Sequence, residues 1–169
     1  MSVIEENAPT RSMAEWRQQL EEKAAKLTPS FFHARAQLPK EGRTNIVLGA
    51  TPLMSVVLKT FASGGENVLH AHPHEDHLFI VMQGSAKFFG PNGELKVARK
   101  NDCVLLPRGS YYWFHAIEGD EALVMLRVGA SLDPSLDPMD RLDIDGKPFD
   151  GYSEENKMTP AVFSGDWFE

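Results

Sequence analysis

Four of the six histidines in this 169-residue chain lie within eight residues, at His70, His72, His74 and His77. Neutral imidazole carries a lone pair near pH 7, and histidine is the commonest metal-binding side chain in proteins. Alternate residues of a β-strand share a face, so the rings of His70 and His72 can converge on one ion. His77 follows a short turn and opens the next predicted strand beside them. This spacing predicts a three-histidine metal site.

Other side chains near this cluster have weaker patterns. His74 follows Pro73 at a turn, where we expect an exposed side chain rather than a ligand. Glu75 is either a partner that orients an imidazole or an exposed turn acid. Cys103 lies in an apolar run, which predicts a buried and unreactive thiol. As the single cysteine it excludes an intrachain disulfide and favours a reducing compartment, the cytoplasm.

The histidine cluster resembles the first motif of the cupin family. Gly64, His70, His72, His77 and Gly84 have the spacing of that motif, with histidine at position 77 where the family usually has glutamate. The resemblance covers about residues 45–128. It implies an all-β fold, the cupin double-stranded β-helix or jelly-roll barrel, which is usually dimeric and holds a metal ion inside.

The second cupin motif resembles Pro107-x-Gly109 followed by Tyr112, at the position where the family usually has its fourth ligand, a histidine. Strand parity places Tyr112 on one face and His115 on the other, so His115 becomes a ligand only if a β-bulge reverses that parity. Tyr112 is interpreted as a catalytic hydrogen-bond donor to substrate or bound oxygen, or as a core tyrosine. The choice between Tyr112 and His115 to complete the site stays open.

The predicted metal ligands are therefore His70, His72 and His77, with His115 as a possible fourth. Three neutral ligands leave a divalent ion at its full charge, which favours an anionic substrate such as an enolate, hydroxyaromatic or carboxylate. The resemblance implies an Fe(II)-dependent dioxygenase, with Mn, Ni or Zn as other candidate ions. Alternatives are an isomerase or decarboxylase that uses the same metal, and a non-catalytic cupin that binds a metal or small molecule.

The strands that must position these residues are short runs rich in Val, Leu, Ile and Phe, separated by turn residues. We predict strands at 45–50, 53–61, 67–72, 77–83, 85–89, 94–98, 103–107, 111–117 and 121–128. Pro91-Asn92-Gly93 predicts a tight hairpin, because Asn-Gly tolerates positive φ angles. So many short strands with no helical pattern between them predict an antiparallel sandwich or small barrel.

One helix is predicted before the barrel. Ser12 and Glu15 have the spacing of a capping box, apolar residues recur at helical spacing from Met13 to Leu27, and Pro29 ends the helix. We expect its apolar face to pack on the barrel, with a dimer contact as the alternative. The predicted organisation is an N-terminal arm at 1–40, disordered up to residue 11, a cupin barrel at 41–130 and an irregular acidic extension at 131–169.

The net charge of −7 belongs to the C-terminal part of the chain. Residues 129–169 hold 10 acidic and 3 basic side chains, whereas residues 1–128 hold 14 of each. The acidic balance and the lack of a long apolar run argue against nucleic-acid and membrane partners. A small-molecule substrate and a second copy of the chain, as a homodimer, are the expected partners. If the extension is a lid, its carboxylates oppose an anionic ligand, and its removal should raise affinity.

Overall fold

The computed structural model describes residues 6–119, 121–157 and 160–169. Within these residues the elements are α1 (Met13–Ala24), β1 (Ala36–Glu41), β2 (Arg43–Thr51), β3 (Met54–Phe61), β4 (Asp76–Gln83), β5 (Ser85–Gly90), β6 (Gly93–Arg99), β7 (Cys103–Leu106), β8 (Trp113–Ala116), β9 (Leu123–Ala130), a 3-10 turn (Glu154–Asn156) and β10 (Val162–Phe168). A membrane-spanning helix, which must be long and apolar, is absent from this part of the chain.

Two antiparallel sheets form the barrel. The first has the strand order β2-β3-β9-β4-β7, and the second has the order β6-β5-β8. Phe79 from the first sheet and Phe88 and Phe114 from the second are buried in one apolar cluster between them. Gly84 joins the sheets with φ +70°, and a Cβ there would lie 2.7 Å from the Glu121 carbonyl oxygen. The predicted all-β double-stranded β-helix is confirmed.

Eight of the nine predicted strands are confirmed, with ends within two residues of the prediction. The hairpin at Pro91-Asn92-Gly93 is also confirmed, since Gly90 pairs with Gly93 and Gly93 has φ +110°. The predicted strand at 67–72 is wrong, because this stretch makes only isolated bridges. Its partners, at residues 112 and 142, lie outside the named strands, so no continuous ladder forms.

Helix α1 packs on the barrel through one apolar face. The Ser12 hydroxyl accepts the N–H of Glu15 at 3.1 Å and starts the helix. Met13, Trp16 and Leu20 are buried together with barrel valines, which confirms the predicted packing. The helix ends at Ala24, so the prediction that it reaches Leu27 is wrong. Leu27 lies beyond the barrel surface and is 96% exposed.

Residues 6–11, predicted as disordered, are partly ordered. The backbone N–H of Thr10 donates to the Asn45 carbonyl at 2.8 Å, and Thr10 is buried. Its hydroxyl also contacts the Tyr152 hydroxyl at 2.5 Å. The prediction of disorder for residues 1–5 falls outside the described residues. The N-terminal arm is therefore tied to both the barrel and the C-terminal extension.

A two-stranded ribbon of β1 and β10 was missed by the sequence analysis. β1 pairs antiparallel with β10, with Ala36 opposite Phe168. Ala36 packs with Ile46, Leu48 and Leu58 on the outer side of the barrel. The extension, predicted to be irregular, thus ends in a strand, and its irregular part runs from 131 to 157.

Cys103 corrects a further prediction, since its thiol is exposed rather than buried. It opens β7, the edge strand of the larger sheet. Residues of a strand alternate between faces. Val104 and Leu106 pack against the core, while Cys103 and Leu105 lie on the outer face and Leu105 is 69% exposed. An apolar run on an edge strand does not have to be buried on both faces.

Candidate functional site in the barrel interior

Charged side chains lie on the inner face of two central strands. Successive residues of a strand point to opposite sides. Lys59 shares a face of β3 with the buried Phe61, and Arg127 shares a face of β9 with the buried Met125. Lys59 is 8% exposed and Arg127 is 2% exposed. The barrel interior is therefore apolar in one part and charged in another.

These charged side chains surround a small cavity. Its volume of about 20 Å³ has room for about one water molecule. Four cationic side chains line it: Arg43, Lys59, Arg127 and Arg141. Its other polar lining includes His70, His72 and Tyr112, and the rings of Phe61, Phe79 and Phe114 form an apolar part of the wall. Arg141 comes from the C-terminal extension.

His70 and His72 are buried side by side at the cavity. Their ring centroids are 5.0 Å apart. Nδ1 of His70 lies 2.7 Å from the Val68 carbonyl oxygen, to which it donates as an N–H, so Nε2 keeps its lone pair. Nδ1 of His72 has no hydrogen-bond partner among the described residues. Burial lowers the pKa of both imidazoles well below its usual value, and both are therefore neutral.

His77 belongs to a buried hydrogen-bonded chain with Glu75 and Tyr112. Its Nε2 lies 3.0 Å from Oε2 of Glu75, and its Nδ1 lies 3.3 Å from the Tyr112 hydroxyl. Burial, followed by the charge of Arg127, lowers the pKa of His77 to about 4. An ionised carboxylate only accepts, so Nε2–H donates to Glu75 and Nδ1 accepts the Tyr112 proton. Burial raises the pKa of Tyr112 to about 12, which keeps that proton in place.

Glu75 stays ionised although it is 2% exposed. Burial alone would raise its pKa, but Arg127 and the hydrogen bond from His77 lower it overall. The Ser55 hydroxyl donates to its Oε1 at 3.3 Å and accepts from Arg127 at 2.9 Å. A Cβ at Gly129 would lie 2.6 Å from that same oxygen, so the glycine makes room for the carboxylate. Of the two alternatives for Glu75, the structure shows the imidazole-orienting partner.

Two of the four cations are bound by neutral oxygens. Arg43 donates to the carbonyl oxygens of Glu66 at 2.6 Å and Asn156 at 2.8 Å. Lys59 donates to Oδ1 of Asn45. Burial lowers the pKa of Arg43 to about 10, and it lowers that of Lys59 well below the usual value. The oxygens named here belong to carbonyl and amide groups, which carry no formal charge.

The other two cations have unused donors. Nε of Arg127 and Nε of Arg141 are buried without a hydrogen-bond partner in the described parts of the chain. The nearest carboxylate oxygen to Arg127 is Oε2 of Glu75, at 3.8 Å. Glu75 is the one buried carboxylate among the described residues. Within the described residues, two guanidinium N–H donors of the interior therefore point at no acceptor.

This arrangement does not fit the predicted three-histidine metal centre. No group of three or more His, Cys, Asp or Glu side chains within 6–119, 121–157 and 160–169 is placed to hold a metal ion. Both ring nitrogens of His77 are engaged by Tyr112 and Glu75. The buried arginines also disfavour a further cation by direct repulsion. His70 and His72 remain as two neutral imidazoles at the cavity.

The structure does not bring His115 to the other histidines. Its ring stacks on Phe89 at 5.6 Å and lies 5.7 Å from Trp113, on the face of β8 opposite Phe114. No bulge reverses the parity between Phe114 and His115 in the β5–β8 register. His74 is partly exposed, and its Nε2 lies 3.2 Å from Asp140. The interior site thus contains His70, His72, His77 and Tyr112.

Sequence reasoning missed all four cations of the cavity. Lys59 and Arg127 had a usable signal, because each is flanked on a strand by apolar residues two positions away that face the core. Arg43 precedes the predicted start of its strand, so its face could not be assigned. Arg141 lies in an irregular segment, where no periodicity indicates which side chain turns inward.

Comparisons with known proteins find similarity to cupins over part of the barrel. Residues 57–129 match the family model described as a cupin domain. The uncharacterized protein YdbB of Bacillus subtilis (strain 168) is 33% identical over 73 residues, which is 43% of this chain and 63% of YdbB. The match thus spans less than two thirds of that curated relative. Residues 57–129 are therefore similar to cupin domains.

Solved structures show similarity at the level of the fold. An uncharacterized conserved protein with a double-stranded β-helix domain from Klebsiella pneumoniae subsp. pneumoniae MGH 78578 aligns with a TM-score of 0.50 and 21% identity, over 69% of this chain and 90% of that one. KdgF from Halomonas sp. aligns with a TM-score of 0.47 and 21% identity, over 56% of this chain and 84% of that one.

Proposed function

We propose that the barrel interior binds a small organic anion. The observation that carries this proposal is the pair of buried guanidinium groups, Arg127 and Arg141, which line one cavity and each keep an Nε–H donor with no acceptor among the described residues. Burying a hydrogen-bond donor without an acceptor costs free energy. An anion bound among these side chains would recover part of that cost, since it accepts from the unused guanidinium donors.

The lining narrows the class of anion. A guanidinium group pairs with a carboxylate through two parallel hydrogen bonds, which favours a carboxylate or enolate over a spherical anion. The phenylalanine rings on the cavity wall favour a ligand with an apolar or unsaturated body. This agrees with the class expected from the sequence, a small anionic, enolic or hydroxyaromatic compound.

The hydrogen-bonded series Glu75–His77–Tyr112 supports an enzymatic role at this site. It holds one proton on Nε2 of His77 and another on the Tyr112 hydroxyl, which lines the cavity. A ligand atom next to that hydroxyl could give its proton to the Tyr112 oxygen while the hydroxyl passes its own proton to Nδ1 of His77, and Glu75 would stabilise the positive charge that then develops on His77. Isomerisation of the bound anion by proton transfer is therefore the reaction class that these residues favour.

Binding can be tested by calorimetry with succinate, 2-oxoglutarate, benzoate and inorganic phosphate as probes. At least one carboxylate should bind, and Arg127→Met should weaken its affinity about tenfold or more, because a buried charge pair is lost. Arg99→Met, at an exposed arginine, removes the same charge outside the barrel and should change little. Lack of binding by every probe, or equal losses in both variants, would contradict the proposal.

A second candidate is the metal-dependent oxidoreductase expected from the sequence, with Fe(II) favoured. It is supported by the two neutral imidazoles at the cavity and by the unpartnered Nδ1 of His72. It would require His77 to leave Glu75 or a ligand other than His77. Metal analysis of protein purified without chelators should then find about one ion per chain. A His70→Ala/His72→Ala double variant that keeps its full metal content would contradict a metal site at these histidines.

A further inference from the structure

Residues 139–157, here named the gate segment, lie against the cavity. Leu142 forms an isolated antiparallel bridge with Ala71, with an N–H···O distance of 3.0 Å in each direction. Ala71 stands between His70 and His72, so the segment crosses the barrel beside the two cavity histidines. Three cavity-lining residues, Arg141, Gly151 and Asn156, belong to the segment. The gate segment is therefore part of the cavity wall.

Arg141 is the charged side chain that the gate segment contributes to the cavity lining. Its side chain is 7% exposed, and its Nε has no hydrogen-bond partner among the described residues. Gly151 of the same segment packs against the guanidinium, where a Cβ would lie 2.6 Å from Cζ. The group is thus held in position by its own segment rather than by a carboxylate of the barrel.

The cavity is too small for the class of anion proposed above. Its volume of about 20 Å³ holds about one water molecule, whereas a small carboxylate has several times as many heavy atoms. Some part of the wall must therefore move before such a ligand enters. Protein interiors are close-packed, so small shifts of the surrounding side chains cannot make room for the ligand.

The gate segment is joined to the barrel less continuously than the central strands are joined to each other. β3 and β9 are joined at eight successive positions, and opening them would break a continuous ladder. Hydrogen bonds hold the segment at Leu142, at Tyr152 to Thr10 and Asn45, and at Asn156 to Arg43 and Val68. Asp140 contacts His74, and Met139 and Tyr152 pack against α1 at Trp16. Parts of a protein with fewer cooperative contacts open at lower free energy.

We propose that the gate segment swings away to admit the anion and closes with Arg141 on it. This inference rests on the proposed function, because the ligand is the anion assigned to the cavity. A bound anion accepts from the unused guanidinium donor, so it stabilises the closed segment, and closure in turn slows its release. Arg141 is then a residue that determines which ligands are retained, although it lies outside the cupin domain match at 57–129.

A disulfide across the Ala71–Leu142 bridge tests the gate directly. Two residues that exchange both backbone hydrogen bonds have Cα atoms about 5.5 Å apart, which suits a disulfide. The pair Ala71→Cys and Leu142→Cys is made in a Cys103→Ser background, because the exposed native thiol would compete. Association of succinate, 2-oxoglutarate, benzoate and inorganic phosphate is followed by tryptophan fluorescence in stopped flow, before and after reduction of the same protein.

The oxidised protein should bind at least tenfold more slowly than the reduced protein, and reduction should restore the rate. Equal rates in the two states would overturn the gate while leaving anion binding intact. If a probe binds the unmodified protein but none binds the reduced variant, the cysteine substitutions have damaged the site. The Arg141→Lys variant is then tested instead, and it should release the bound probe faster than the unmodified protein does. If no probe binds the unmodified chain, the proposed function fails, and the gate fails with it.

Hydrogen exchange gives a readout that needs no ligand. The Leu142 amide donates to Ala71 in the gate segment, whereas the amides of β3 and β9 lie in a continuous ladder. If the segment opens while the barrel stays folded, the Leu142 amide should exchange at least tenfold faster than the slowest amides of β3. Equal protection at both places would mean that the segment opens only on global unfolding, which would overturn the proposal.

Discussion

His77 shows how one neighbour changes the role of an imidazole. The residue stands where the cupin resemblance usually has a glutamate ligand, and its type alone suits a metal. Glu75, two residues earlier, is buried beside it and accepts its Nε2–H at 3.0 Å. A neutral imidazole that donates at one nitrogen and accepts at the other has no lone pair left for an ion. In this arrangement His77 is a hydrogen-bond relay between Glu75 and Tyr112.

Removal of the Tyr112 hydroxyl should show how much this hydrogen-bond relay contributes to the free energy of unfolding. Tyr112→Phe leaves the buried Nδ1 of His77 without a donor, which costs about 1–3 kcal/mol of the free energy of unfolding. Urea unfolding measures this loss. Tyr111→Phe, at the neighbouring and less buried position, is the matched control and should change stability by less. Equal effects of the two substitutions would show that the hydroxyl of Tyr112 makes no useful hydrogen bond.

The lowered pKa of His77 predicts a loss of stability in acid. The folded pKa is about 4 against an ordinary value of 6.5, because of burial and then Arg127. Between these values the unfolded chain binds a proton that the folded protein does not. The free energy of unfolding should therefore fall as the pH drops from 6.5 towards 4, by up to about 1.4 kcal/mol per pH unit from this residue.

The contribution of His77 can be separated from that of the other histidines. His77→Gln keeps an amide donor towards Glu75 but does not titrate. Urea unfolding of both proteins between about pH 7 and about pH 5 should give a shallower slope for the variant. Identical slopes would contradict the assignment of a neutral, buried His77.

At the scale of elements, the alternation of residues along strands predicted part of the site, although His70 and His72 lie outside the named strands. It placed Tyr112 and His115 on opposite faces, and the structure confirms both positions. Alternation also predicts that Lys59 and Arg127 face inward, but the sequence analysis did not assign a face to the charged residues of the predicted strands. Arg141 was beyond such reasoning, because backbone contacts far apart in the chain decide where an irregular segment lies.

The helix and the barrel meet at Trp16, which also bears on the cavity. The Trp16 ring is fully buried, with Nζ of Lys59 and Cζ of Arg127 each 5.3 Å from it. A ring face attracts cations, so Trp16 stabilises positive charge on these two buried side chains. Trp16→Leu should lower the free energy of unfolding by about 2–4 kcal/mol, through lost packing and lost cation contacts.

Trp167→Leu is the matched control, because Trp167 lies on the terminal ribbon and is 48% exposed. Chemical unfolding should show a clearly smaller effect for this variant. A loss at position 16 no greater than the loss at 167 would mean that α1 contributes little to the barrel.

For the whole molecule, the sign of the charge differs between surface and interior. The chain carries −7 overall, and the excess lies in residues 129–169. Arg141 belongs to this acidic segment, yet it lines the cavity together with Arg43, Lys59 and Arg127. The expectation that an acidic lid opposes an anion considered net charge only. The homodimer stays a prediction, which sedimentation would test.

The placement of Arg141 reverses the expected effect of the extension on binding. Arg141→Gln should weaken binding of the carboxylate found by calorimetry by about tenfold or more, which corresponds to about 1.4 kcal/mol. Lys147→Gln changes the net charge of the same extension equally, but at an exposed side chain, and should leave the affinity almost unchanged. Buried charge pairs are weakly screened, so the difference between the variants should persist at high salt. Tighter binding by Arg141→Gln would show that the extension repels anions after all, and equal losses in both variants would assign the effect to net charge.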